Sequence, residues 1–200
     1  MKKIIFGLAI AATILIACYN RSNKSTKSQN VNNNTQAISQ TDNKSLKTSS
    51  VNDAKNAVSI KEIVSSYLIM KNALTEDNWN DAAKAGESLK TAFKNFNKTI
   101  LTLDQKKIFE DVETDAMENA DYIAESGGNI AHQHEHLELL SKDIYDLIKT
   151  VPAGQALFQD FDPMYNNGKG AFWISETKEI KNPYLGKAMF TSGSVKEETK

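Results

Sequence analysis

Cysteine is almost missing: Cys18 is the only one in 200 residues. No disulfide can close within the chain, and no thiol is available for nucleophilic chemistry in the folded part. The fold must rest on its apolar core alone. A basic excess is missing too. Lysine and arginine number 24 against 25 aspartate and glutamate residues, a net charge of −1. That balance argues against nucleic acid as a partner, because it demands a basic face. The apolar run Ile4 to Ile16 falls short of the roughly 20 residues that cross a bilayer. Signatures of catalysis are lacking as well, with no nucleophile elbow and no phosphate loop. His134-Glu135 is followed three positions on by Glu138, where a zinc-protease motif needs its second histidine. The chain does not read as an enzyme.

What is present begins with Lys2 and Lys3 before the short apolar run, the pattern of a signal peptide over residues 1–17. Leu15-Ile16-Ala17-Cys18 resembles the bacterial lipobox, whose cysteine becomes the first residue and is acylated. Cys18 is therefore the expected lipidation site, and more than one acyl chain there anchors a protein stably in a membrane. The expectation is an exported protein, lipid-anchored in the bacterial cell envelope and facing the periplasm or the cell surface. Loss of residues 1–17 takes the basic count from 24 to 22 against 25 acids, a net charge of −3. Residues 18–58 are crowded with Ser, Asn, Thr, Gln and Lys and bury too little apolar surface to offset chain entropy. They read as a disordered tether with a reach of roughly 35 Å.

Residues 59–195 are enough for one domain, with 196–200 as a disordered end. Ser59 to Glu62 reads as a capping box, opening a helix with Ile60, Ile63, Val64, Tyr67, Met70 and Leu74 on one face. A second helix starts near Trp79, with Trp79, Ala82, Gly86, Leu89, Phe93 and Phe96 on its stripe. Gly86 suggests close approach of a neighbouring helix, or a kink. Thr102 and Gln105 form another capping box. The third helix carries Ile108, Val112, Ala116, Asn119 and Ile123, and Gly127-Gly128 ends it. Asn119, on the buried stripe, has to be hydrogen-bonded or lie at a gap. Asn129 to Val151 is the fourth helix, with Leu137, Ile144 and Ile148 facing the core. Short loops between such helices imply an all-α, antiparallel up-down four-helix bundle. After Pro152 the chain reads as an irregular aromatic-rich tail with room for a short β-hairpin. Asn166-Asn167-Gly168 marks a turn, and Ala171 to Ile174 is a strand candidate for pairing near Met189-Phe190.

All three histidines lie on the fourth helix, at 132, 134 and 136. His132 and His136, at i and i+4, share a flank and can converge on one ion as neutral imidazoles. His134 points elsewhere and reads as a bystander. Further ligands have to come from another element, and the expected flank is the one the tail covers. Met164 and Met189 offer thioethers suited to Cu(I) or Ag(I), whereas Asp162 tilts the site toward Zn(II) or Cu(II). Copper is the favoured ion and zinc the other candidate. Haem held by Met70 and a histidine is disfavoured, because a methionine on an apolar stripe is more often packing.

Several stretches, taken in order, resemble one family: Tyr67 to Leu74, Ile130 to Gln133 with Glu135-His136, Asp162-Pro163-Met164-Tyr165, and Ile180 to Tyr184 with Gly186-Lys187 and Met189. They are similar to an uncharacterised exported domain of bacterial lipoproteins. That domain is also appended to periplasmic adaptor subunits of copper/silver-type heavy-metal efflux pumps. The resemblance implies a metal role and His132, His136, Met164 and Met189 as candidate ligands. It also implies cysteines at the positions of Asp162 and Ser192, a linked pair that is either two ligands or a disulfide, and an arginine where His134 stands. The expected function is transition-metal binding in homeostasis or efflux, with heavy-metal efflux components as partners. The other reading is a metal-free interaction module docking on an envelope assembly.

Overall fold

The computed structural model describes residues 59–199. The expectations for the signal peptide 1–17, for Cys18 and for the tether 18–58 lie outside the described residues. Four helices come first: α1 Lys61–Thr75, α2 Trp79–Asn95, α3 Leu103–Glu125 and α4 Ile130–Ile148. Each carries its expected apolar stripe inward, except that Trp79, at the first position of α2, is 43% exposed. Ile63, Tyr67, Met70, Leu89, Phe93, Ala116, Ile123, Leu137 and Ile144 are all fully buried, and each large one contributes about 1.5–3 kcal/mol by leaving water. Every helix packs on the next in sequence, and α4 returns to α1.

Three of the four helix starts have a side-chain cap. Asn78 accepts from the Asp81 amide, Asn129 accepts from the His132 amide, and Thr102 with Gln105 forms the expected reciprocal box at 3.3 and 3.1 Å. The first helix corrects expectation. Ile60 is its N-cap, no side chain caps it, and the buried Ser59 hydroxyl has no partner. The reason is a long-range bond: the Ile60 amide donates to the Pro152 carbonyl at 3.1 Å, tying the start of α1 to the chain leaving α4. Gly86 marks a close approach, since a Cβ there would lie 2.6 Å from the Ala120 carbonyl oxygen on α3. Gly128, at φ +85°, takes the left-handed conformation after α3.

The tail is more ordered than an irregular segment, so the protein is mainly helical with a small sheet rather than all-α. Leu157–Asp162 (β1), Ala171–Ser175 (β2) and Ser194–Thr199 (β3) form a three-stranded antiparallel sheet in the order β2-β1-β3. The expected partner of β2 was the run near Met189-Phe190; instead β2 pairs with β1, Asp160 opposite Trp173. The short connection explains it, for Asn166 and Asn167 adopt left-handed conformations at φ 52° and 56° that asparagine tolerates in turns. Residues 196–199 are not a disordered end. They complete β3 against Leu157 to Gln159, and the Thr199 hydroxyl donates to the Leu157 carbonyl at 3.2 Å. Charged Lys196, Glu197 and Glu198 suit this outer strand, where they discourage pairing with another chain.

A buried hydroxyl relay docks the sheet on the helices. The Tyr67 hydroxyl of α1 lies 2.7 Å from the Ser141 hydroxyl of α4 and accepts from the Ile174 amide of β2 at 3.1 Å. Tyr184 donates to the Phe172 carbonyl at 2.7 Å and packs its ring edge-on to Trp173. The face of α4 that receives the tail is therefore the one with Ser141, Tyr145 and His134.

Candidate metal centre

His132 and His136 are side by side on α4, their ring centroids 4.5 Å apart and their planes nearly perpendicular. His136 is the better defined of the two. Tyr122 of α3 stacks on it at 4.4 Å, and its Nδ1 lies 3.0 Å from Oδ1 of Asn119. The amide nitrogen of Asn119 is already committed as a donor, to the Asp115 carbonyl at 2.9 Å and to Oδ2 of Asp143 at 3.4 Å. Its oxygen must therefore accept, which places the proton on Nδ1 of His136 and leaves the lone pair on Nε2. Burial, and then the neighbouring His132, hold His136 below the ordinary histidine range, so its ring is neutral near pH 7. Nδ1 of His132 meets Glu135 at 3.2 Å, a carboxylate that draws the proton to that nitrogen. Both rings thus present Nε2, each backed by a hydrogen-bond acceptor of the kind that orients metal-binding histidines.

The surroundings are acidic. A cleft of 440 Å³ between α3 and α4 is lined by Asp115, Glu118, Asn119, Tyr122, His136, Leu139, Lys142 and Asp143. Burial, and then Asp115, push the Asp143 carboxyl up to about 6. Such a cleft attracts cations.

The tail residues do not join this site. Asp162 is fully buried and committed elsewhere: it accepts from the Met164 amide at 2.7 Å, from the Asn182 side chain at 2.5 Å and from the Ser192 hydroxyl at 3.4 Å. Met164 and Met189 are exposed. The tail lies on the flank of His134, not on that of His132 and His136. Tyr184 meets His134 edge-on at 6.3 Å, and Asn166 reaches Glu138 at 3.5 Å. His134 stands apart from the pair, on the side that the tail covers. It is buried with Nε2 unpartnered, and burial lowers its basicity. Among the described residues, no group of three or more His, Cys, Asp and Glu side chains is placed to hold an ion. Two imidazoles suit a borderline ion such as Cu(II) or Zn(II); the thioether part of the expected ligand set is not assembled with them. Met70 is a fully buried core residue.

The comparisons bear on the helical part. Residues 63–156, just under half of the chain, match the model of a family described as a protein of unknown function (DUF3347). No curated protein and no solved structure matches the chain. The DUF3347 match runs from α1 to the residue before β1, so it takes in Asn119, Tyr122, His132 and His136. Asp162, Met164, Met189 and Ser192 lie beyond it. The positions for which the resemblance implied a linked pair of cysteines are nonetheless neighbours in space, through the bond from Ser192 to Asp162.

The sequence reading missed Tyr122, Glu135 and Asp143. Glu135 was legible in principle, three residues after His132 on one helix. Tyr122 and Asp143 depend on how α3 meets α4, which no local pattern encodes.

A second polar cluster lies under the sheet. The ammonium of Lys71, on a side chain 1% exposed, meets Glu176 at 3.0 Å and Asn72 at 2.6 Å. Nearby Asp160 is fully buried with both carboxylate oxygens unpartnered. Burial pushes its carboxyl up to about 6, against the pull of Lys71. The Trp173 indole also favours the charged form, though it stands outside hydrogen-bond geometry.

Proposed function

We propose that this is a lipid-anchored cell-envelope protein that binds a transition metal, copper favoured and zinc next, in metal homeostasis or efflux. It does so without catalysing a reaction. The observation that carries the reading is the pair of Nε2 lone pairs on His132 and His136, held by Asn119 and Glu135. This donor set favours Cu(II) over Zn(II) by the usual order of affinities. Anchoring through Cys18 and an association with heavy-metal efflux components belong to the same proposal. They are supported by the lipobox-like Leu15 to Cys18 and by the resemblance to adaptor-appended domains.

The helices are read as an antiparallel up-down four-helix bundle. Support comes from the packing of each helix on the next and from the connections between them, such as the three residues between α1 and α2. In this reading the bundle is the rigid support that sets α4 against α3 at the metal centre.

Calorimetric titration of the full chain with Cu(II) and Zn(II) tests the metal. Binding tighter than micromolar, abolished by His132→Ala with His136→Ala, is expected. Failure to bind, or binding indifferent to both substitutions, sinks the reading.

The second reading, a docking module without metal, is favoured by one feature. Leu103 is 87% exposed at the start of α3, and Ile100 lies exposed just before it. Ile100 also lines a groove of 730 Å³ with Ile60, Ile63, Ala92 and Phe96. Solvent-facing apolar residues beside an apolar groove are what a protein partner covers. Pull-down of envelope proteins, lost on Leu103→Glu and untouched by the histidine substitutions, would select this reading.

A further inference from the structure

We infer that the metal centre is completed by a second copy of this chain, one ion being shared by His132 and His136 of two copies across a two-fold axis. The inference rests on the two-histidine reading above. Its starting point is the donor count. Zn(II) in a closed site takes four ligands, and Cu(II) favours four nitrogen or oxygen donors in a plane. One chain offers two imidazole nitrogens here, and among the described residues no third His, Cys, Asp or Glu converges with them. The two acceptors that touch the rings are already in use. Glu135 holds Nδ1 of His132, and Asn119 holds Nδ1 of His136.

The direction of the donors agrees. Nδ1 of His136 is tied inward to Asn119, itself buried between α3 and α4. Nε2, across the ring, faces the other way. The His132 side chain is 39% exposed. An ion held by both would be half-coordinated by the helix and half open to whatever approaches it. A two-fold arrangement supplies the same two donors again, giving four imidazole nitrogens with no new residue type.

The rim of the site suits an isologous contact that depends on the ion. Leu139, one turn beyond His136 on α4, is 54% exposed, and Tyr122 is 43% exposed beside the ring it stacks on. Each copy would lay these apolar groups against their counterparts. The charges act the other way. Glu118 and Glu135 both act on His136 as negative neighbours, while Lys142 in the same cleft is paired with Asp146. Two metal-free faces therefore repel, and a shared dication offsets that repulsion. Pairing is conditional on metal.

Sedimentation velocity on the full chain, without a histidine tag and stripped of metal by chelator, tests the inference when Zn(II) is added stepwise. The expected result is a twofold rise in mass that saturates at one ion per two chains and reverses with EDTA. Either His132→Ala or His136→Ala is expected to remain monomeric at the same Zn(II). With Cu(II), nitrogen hyperfine structure in the electron paramagnetic resonance spectrum should report four imidazole nitrogens. Saturation at one ion per chain with unchanged mass overturns the shared site and leaves the metal reading standing. A dimer that forms without metal, or persists in His136→Ala, also overturns it. No binding at all overturns both.

Discussion

Oδ1 of Asn119 accepts the Nδ1 proton of His136 at 3.0 Å, across the interface between α3 and α4. This bond selects which imidazole nitrogen is left to bind. Replacing Asn119 with alanine removes the acceptor and frees the ring to change tautomer. Metal affinity should fall about 10- to 100-fold, as when other outer hydrogen-bond partners of metal ligands are lost. Competitive titration against a chromophoric chelator measures it. An affinity unchanged by Asn119→Ala would mean that this bond does not prepare the site.

Asp160 gives a prediction in pH. Its carboxyl ordinarily titrates near 3.8 and is raised to about 6 in the fold, chiefly by burial. The folded state holds the proton more tightly, so the stabilisation is complete below about pH 4. It is lost as pH rises through 6. Asp160→Asn removes the dependence. Relative to the native chain, the variant should gain stability between pH 4 and pH 7, by up to about 3 kcal/mol. Urea melts at the two pH values check the sign, and a variant that loses ground as pH rises would contradict it.

The bond from Ser192 to Asp162 at 3.4 Å brings together two positions 30 residues apart. Asp162→Cys with Ser192→Cys should form a disulfide under mild oxidation. Loop closure of that size is worth about 3.6 kcal/mol when the geometry is unstrained. Mass spectrometry after alkylation detects the link, and two free thiols would show that the side chains do not meet. Each single substitution should cost stability, because Asp162 also holds Asn182 and the Met164 amide.

Gly86→Ala tests how closely α2 and α3 approach. The added methyl would lie 2.6 Å from the Ala120 carbonyl oxygen and 3.2 Å from the Ala124 Cβ. Alanine favours a helix interior by about 1 kcal/mol, but overpacking of this kind costs about 1–3 kcal/mol. A net loss in thermal stability is expected. A rise in melting temperature would show that the contact can relax.

The helices were legible because their signals are local. Apolar spacing, the Thr102–Gln105 box, the small residue at Gly86 and Gly128 at the end of α3 act within a few residues of where they stand. Asn119 was legible as an exception on an apolar stripe, which required a partner without naming His136. The start of α1 was misread because the Ile60 amide is satisfied by Pro152, about 90 residues away. The sheet was harder. Its third strand, Ser-Val-Lys-Glu-Glu-Thr, has no apolar alternation and is ordered by backbone pairing with β1. The side of α4 that the tail covers was not legible either. Angles around the helix separate His134 from His132 and His136. Only the contacts of Tyr184 and Ile174 with the Tyr67–Ser141 relay decide which side is covered. That choice removes Met164, Met189 and Asp162 from His132 and His136.

The central claim is that His132 and His136 bind one ion through Nε2. Nitrogen-15 NMR of the histidine side chains during Zn(II) titration tests it most directly. The account predicts Nδ1-protonated rings at both positions before metal, and Nε2 resonances of His132 and His136 that move together while those of His134 stay fixed. Unmoved resonances at both sites, or a response confined to His134, would contradict it.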